Sequence, residues 1–93
     1  MNQQLQKVEK FYSAIREDGR ISPSHISLYM GLFYCWMKNG FDSPVSFNGA
    51  QIMRISKISG RATYIRCIRD LHEFGHIRYV PSHNPFLGSQ AYL

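Results

Sequence analysis

Positive charge and a helical apolar pattern coincide in one short stretch, KISGRATYIRCIRDL, which runs from Lys57 to Leu71. At about 100° per residue, one face of a helix here collects the apolar residues Tyr64, Ile65, Ile68 and Leu71. The opposite face carries Thr63, Arg66, Asp70 and Glu73, so its charge changes from positive to negative along the helix. Cations near a helix N-terminus have the chemistry to meet the phosphates and base edges of DNA.

The charge balance of the whole chain also indicates an anionic partner. The 93 residues carry a formal net charge of +5. Up to Asn48 five basic residues face four acids, whereas from Gly49 onward six basic residues face two acids. Such a basic half suits a polyanion, either nucleic acid or an anionic membrane surface. A helix lying flat on a membrane would need cations along its whole polar face, so the acids at Asp70 and Glu73 favour DNA.

The remaining reactive side chains form no recognisable catalytic or metal site. The six carboxylates are scattered and no histidine stands beside a plausible nucleophile, so we expect no enzymatic activity. Cys67, His72 and His76 have ligand-like spacing, but Cys67 and His72 point about 140° apart on an ideal helix. We therefore expect neither a metal nor another cofactor.

Length and composition predict one small domain over residues 1–93. Hydrophobic residues make up 44% of the chain and charged residues 18%, which suits a packed core. Cys35 and Cys67 lie in apolar helical stretches and do not look like a disulfide framework. The polar start MNQQLQKVEK is no signal peptide, and the apolar run ISLYMGLFYCWM is about half the length that spans a bilayer. We expect a soluble cytoplasmic protein.

Hydrophobic periodicity and turn residues predict a mainly α-helical chain with a small antiparallel sheet. A first helix should run from Gln3 to Asp18, and a central helix, apolar nearly all round and therefore buried, should follow a cap at Ser22 or Ser24. SPVSF reads as a strand and NGAQIMRIS as a short helix capped by Asn48 or Ser46. Ser59 or Gly60 should cap the basic helix, which ends at Gly75. HIRYVPSH and SQAYL should then pair as strands.

This order of elements resembles the winged helix-turn-helix family of DNA-binding proteins. The residues that carry the resemblance are QIMRISKISGRATYIRCIRDLHEFGHIRYV, with a short helix, a tight turn, a second helix and Gly-His-Ile opening the wing. The resemblance covers residues 21–93 and leaves residues 1–20 as an additional N-terminal helix. Lys57 stands where the family commonly has a turn glycine, so we expect a strained positive φ there.

The resemblance implies sequence-specific binding of double-stranded DNA, with transcriptional control of a phage or mobile element as the expected role. Arg61, Thr63 and Arg66 would enter the major groove near the helix start at Ser59 and Gly60. Phosphate contacts would come from Lys57, Arg54, Arg69 and Arg78. His83 and Asn84 at the wing tip could contact the DNA backbone or simply form the turn. A replication or excision accessory factor is the alternative, as is a protein–protein adaptor.

Two further features leave alternatives open. Five aromatic residues on and beside the central helix could form a base-stacking platform or fill the core. They are Phe33, Tyr34, Trp36, Phe41 and Phe47. The first helix carries an apolar stripe that is wide for docking on a small core, and we expect it to support a homodimer. The members of this stripe are Leu5, Val8, Phe11, Tyr12 and Ile15.

Overall fold

The computed structural model describes residues 2–82 and 88–93. Within these residues the chain forms four α-helices and one three-stranded antiparallel sheet. The elements are α1 (Gln3–Ile15), α2 (Pro23–Lys38), β1 (Val45–Phe47), α3 (Gly49–Ser56), α4 (Arg61–Glu73), β2 (Arg78–Val80) and β3 (Ser89–Tyr92). The predicted class and order of elements are therefore confirmed, although α1 ends at Ile15 rather than at Asp18.

Polar side chains determine where α2 and α3 begin. The Ser22 hydroxyl accepts a hydrogen bond from the His25 N–H, while the His25 ring accepts one from the Ser22 N–H, which completes a capping box. The Asn48 side chain accepts from the Gln51 N–H at 2.7 Å and so caps α3. Of the two caps predicted for α4, Ser59 or Gly60, the structure has Gly60, and no side chain makes a capping hydrogen bond there.

The sheet places the last strand in its centre, in the order β1-β3-β2. Val45 of β1 and Tyr79 of β2 both stand opposite Ala91 of β3. Ala91 is fully buried, and its small side chain lets the helical layer pack closely on the middle of the sheet. β2 and β3 together form the hairpin that the sequence predicts.

The core lies around α2, which packs against both α3 and α4. A Cβ added at Gly31 would lie 2.5 Å from the Ser56 Oγ, so glycine is what allows α2 and α3 to approach this closely. The prediction that α2 is buried all round is only partly right, because Tyr34 is 47% exposed and Met37 42%. Trp36 is buried, but it packs with Phe33 and Phe41 beside the main core rather than within it.

The first helix attaches to this body through only part of its apolar stripe. The Phe11 ring stacks on Tyr29 with centroids 3.7 Å apart, and Ile15 is also buried. Leu5 and Tyr12 face solvent instead. In the part of the chain that the structure describes, no helix is long and apolar enough to cross a membrane.

Candidate nucleic-acid interface

The chain reverses direction between α3 and α4 through a left-handed residue. Lys57 has φ 61° and ψ 33°, the strained conformation that the sequence predicts. Its N–H donates to the Arg54 carbonyl, and the Ile58 N–H donates to the Met53 carbonyl at 3.0 Å. Ile58 is buried under the turn, so the turn is anchored to the core at its centre. This anchoring fixes where α4 begins relative to α3.

The buried face of α4 differs by one residue from the sequence prediction. Tyr64, Cys67, Ile68 and Leu71 are buried, whereas Ile65 is 37% exposed. Cys67 therefore takes the core position that the prediction gave to Ile65. At about 100° per residue, the side directly opposite this face carries Ala62, Arg66, Arg69 and Glu73. This side, together with Ile65, is called the outer face of α4 below.

Two residues that the sequence predicts on the outer face lie on its flank instead. Thr63 is half-buried, with its Oγ1 close to Gly60. The Asp70 carboxylate bonds to the His25 ring of α2, with an Oδ2–Nε2 distance of 2.8 Å. Asp70 on the flank thus joins α4 to α2. Because Asp70 is not on the outer face, that face is more basic than the sequence pattern predicts.

A shallow basic hollow adjoins the start of α4. Arg54, Lys57, Ser59 and Arg61 line it together with the apolar residues Ala50, Met53 and Ile58. A Cβ built on Gly49 would lie 3.7 Å from Nη1 of Arg61, so this guanidinium lies beside the start of α3 as well. Cations from α3, the turn and α4 therefore surround one apolar floor.

The cations of the hollow and of the outer face are not neutralised internally. Within the described residues the ion pairs are Arg20–Asp18 and His25–Asp70. Neither pair involves Arg54, Lys57, Arg61, Arg66 or Arg69. Arg66 and Arg69 are exposed on the outer face, next to Ala62 and Ile65. Arg54, Lys57 and Arg61 around the basic hollow, and Arg66 and Arg69 on the outer face of α4, thus remain available to an external anion as two neighbouring groups on the α3–turn–α4 unit.

Arg78 lies apart from this group. Its guanidinium stacks over the Tyr92 ring with 4.8 Å between the guanidinium carbon and the ring centroid, and it lines a different hollow with Lys7 and Lys10. The predicted contacts at His83 and Asn84 lie outside the described residues. The structure therefore gathers Arg54, Lys57, Ser59 and Arg61 around one hollow, next to the helix start at Gly60, and places Arg66 and Arg69 on the outer face of α4, but it does not bring Arg78 to either group.

A polar chain that sequence reasoning missed links Ser22, His25 and Asp70. The Ser22 Oγ lies 2.8 Å from His25 Nδ1. The prediction that no histidine stands beside a plausible nucleophile is wrong for this serine. The Ser22 backbone N–H also bonds to Nδ1, at 2.9 Å, and an N–H can only donate. The ring therefore carries its proton on Nε2 and donates it to Asp70. Because His25 is 3% exposed, this chain serves helix capping and helix–helix contact. The i, i+3 spacing of Ser22 and His25 was its only sequence signal.

The two cysteines and His72 have the following surroundings. Cys35 and Cys67 are free, and burial raises the pKa of both thiols. His72 accepts a hydrogen bond from the Tyr79 N–H through Nδ1, at 3.0 Å. No group of three or more possible metal ligands occurs among residues 2–82 and 88–93.

Comparison with protein-family models, with curated proteins and with solved structures finds no match to this chain.

Proposed function

We propose that the chain is a winged helix-turn-helix protein that binds double-stranded DNA through α4 and the preceding turn. The observation that carries this proposal is a set of five cations on the α3–turn–α4 unit that enter no ion pair within the described residues, three around the basic hollow and two on the outer face of α4. Clustered cations on one face are the electrostatic requirement for binding a phosphate backbone. The β2–β3 hairpin after α4 stands where the wing of such a protein would be.

The outer face of α4 suggests how bases would be read. Arg66 lies at its centre, and arginine pairs with two acceptors of guanine in the major groove. Ala62 and Ile65 flank it and offer apolar contact to a thymine methyl group. Arg54, Lys57, Arg61 and Arg69 would hold phosphates on either side. Thr63, half-buried on the flank, has no part in this proposal.

Polarity along α4 favours insertion of its first half. No side chain caps its first amides, so a phosphate there would find free N–H donors and the positive end of the helix dipole. Glu73 on the outer face and Asp70 on the flank place negative charge in the last turns. Control of transcription, or an accessory role in replication or excision, would use the same contacts.

The exposed Ile65 favours one rival function. An apolar side chain that is 37% exposed among arginines suits a protein–protein adaptor whose charges provide only solubility. The two functions differ in how binding depends on salt. We expect a labelled random-sequence duplex to bind at 50 mM salt and to bind roughly a hundredfold more weakly at 200 mM, since about four phosphate contacts release counterions. An adaptor would not bind the duplex at either concentration.

A further inference from the structure

A second basic hollow, of about 510 Å³, lies between α1, the α4–β2 connection and the ends of β2 and β3. Lys7 and Lys10 of α1 and Arg78 of β2 stand around it, and among residues 2–82 and 88–93 no carboxylate side chain lines it. Its apolar lining comprises the exposed Ala14, the half-buried Phe74, Tyr92 and Leu93, and the buried Phe11, Tyr29 and Ile77. Lys7 and Lys10 are far from Arg78 in sequence, and both come from the half of the chain whose charges nearly balance.

Within the described residues no ion pair includes the three cations of this second hollow. Lys7 holds its Nζ 5.4 Å from the Trp36 ring centroid, and Arg78 stacks on Tyr92. Aromatic faces position these cations without cancelling their charge. Lys10 is exposed, and the two ion pairs of the described residues include none of the three. An anionic ligand would therefore meet two cations that aromatic rings hold in place, Lys7 and Arg78, and the exposed cation of Lys10.

The second hollow is remote from the proposed DNA contacts. It borders Phe74 and Gly75, just after the last turn of α4, whereas Arg61 opens the first turn. A helix of 13 residues is about 20 Å long. A duplex held by the first turns of α4 would leave this end of the molecule open to another partner.

The aromatic rings of the second hollow do not suit nucleic-acid bases. Phe11 and Tyr29 are 3% and 2% exposed and cover one another's faces at an interplanar angle of 6°. Tyr92 already has Arg78 over its ring. Stacking on bases needs a free ring face. Flexible aliphatic side chains need only apolar volume, which this hollow offers.

We propose that the second hollow docks an acidic, leucine-containing segment of a partner protein. Carboxylates of the segment would pair with Lys7, Lys10 and Arg78, and a leucine side chain would fill the apolar part. This site is independent of the DNA contacts, so the chain would join DNA to a second protein.

The test uses a labelled peptide that repeats Asp-Glu-Leu-Leu three times, with fluorescence anisotropy as the readout. The variant Lys10→Glu, Ala14→Glu places acids at two exposed positions of the hollow. The control Ser13→Glu, Arg16→Glu makes the same change in net charge at two exposed positions that do not line the hollow, one in α1 and one just after it. We expect the first variant to bind the peptide at least about tenfold more weakly, which corresponds to about 1.4 kcal/mol. The control should bind like the parent.

Two further probes complete the experiment. Replacing Leu by Ser in the peptide should weaken binding, and a single-stranded oligothymidine should not compete. Equal loss in both variants, indifference to Leu, or displacement by oligothymidine would each overturn the proposal. Duplex DNA binding, measured on the same samples, should be equal in the two variants. Peptide binding without duplex binding in the parent would contradict the proposed function and leave this site intact.

Discussion

Lys57 holds the turn between α3 and α4 in a conformation that favours glycine. A non-glycine residue at φ 61° destabilises the folded state by roughly 1–2 kcal/mol. Glycine would remove this strain, but its larger chain entropy in the unfolded state would cancel part of the gain in stability. The lysine is exposed at the edge of the basic hollow. If the Lys57 charge binds a ligand in this hollow, that function explains why a lysine stands there despite the strain.

Replacing Lys57 separates strain from charge. We expect Lys57→Gly to raise the free energy of unfolding by up to about 1 kcal/mol, because the strain is relieved. Duplex affinity should fall at the same time, because one phosphate contact is lost. Lys57→Ala should lose the same affinity without gaining stability. Urea unfolding and duplex anisotropy on both variants measure the two effects, and a glycine variant less stable than the parent contradicts the argument.

Single positions show where sequence reasoning succeeds and where it stops. The strain at Lys57 follows from local backbone chemistry, and it was predicted correctly. Ile65 was assigned to the buried face of α4, and Cys67 was left out of that face although it lies in the core, because both fit a wide apolar stripe while pointing about 160° apart. Only the packing of α2 against α4 selects between them, and packing is not a local property of the sequence.

The orientation of α4 relative to α2 depends on the His25–Asp70 bond. Asp70→Ala would leave the buried Nε2–H of His25 without its acceptor, so we expect a loss of about 1–3 kcal/mol in the free energy of unfolding. Glu73→Ala is the matched control, since it removes an exposed acid from the same helix and should cost less than about 0.5 kcal/mol. Equal midpoints of urea unfolding for the two variants would show that the bond contributes nothing.

The end of α2 is held by an aromatic group that stands beside the main core. Trp36 contacts Phe33 and Phe41 edge to face, with centroids 5.5 and 5.0 Å away. We expect Trp36→Ala to destabilise by about 3–5 kcal/mol, as for other large-to-small changes at buried sites. Tyr34→Ala, at an exposed position of the same helix, should change stability by less than about 0.5 kcal/mol. If thermal unfolding of Trp36→Ala matches that of the parent, these aromatic residues are not structural.

At the scale of elements the sequence is a good guide to type and order, but a poorer guide to contacts. Caps at Ser22 and Asn48 fix two helix starts, and alternation predicts both hairpin strands. The partner of Asp70 is 45 residues away, so no spacing rule reaches it. The location of Arg78 likewise depends on how β2 meets α1 and β3, which is set by the whole fold.

The exposed part of the α1 stripe bears on the assembly of the whole molecule. Leu5 is 58% exposed and Tyr12 42%, while Phe11 and Ile15 suffice to attach the helix. One recognition helix reads few base pairs, and helix-turn-helix proteins usually bind two half-sites as dimers. We expect a homodimer that buries Leu5 and Tyr12 across a two-fold axis.

Sedimentation equilibrium at micromolar concentration tests the dimer. The parent should sediment above its chain mass of 10.8 kDa, and Leu5→Glu, Tyr12→Glu should return it to that mass. Both positions are exposed, so the variant should stay folded, as far-UV circular dichroism can verify. A parent that remains at 10.8 kDa, alone and with a palindromic duplex, rules the dimer out.

The proposed function requires that the outer face of α4 binds DNA. Fluorescence anisotropy of a labelled duplex, measured with two matched double variants, tests this requirement most directly. Arg66→Ala, Arg69→Ala removes two cations from that face, whereas Arg16→Ala, Lys38→Ala removes two exposed cations from other helices. On a duplex selected from a random library, the first variant should bind about 1–3 kcal/mol more weakly or worse, since loss of one bidentate base contact alone has that effect. The second should bind within about threefold of the parent, because distant charges are screened at physiological salt. Equal losses in the two variants, or an unchanged affinity in the first, would contradict the account.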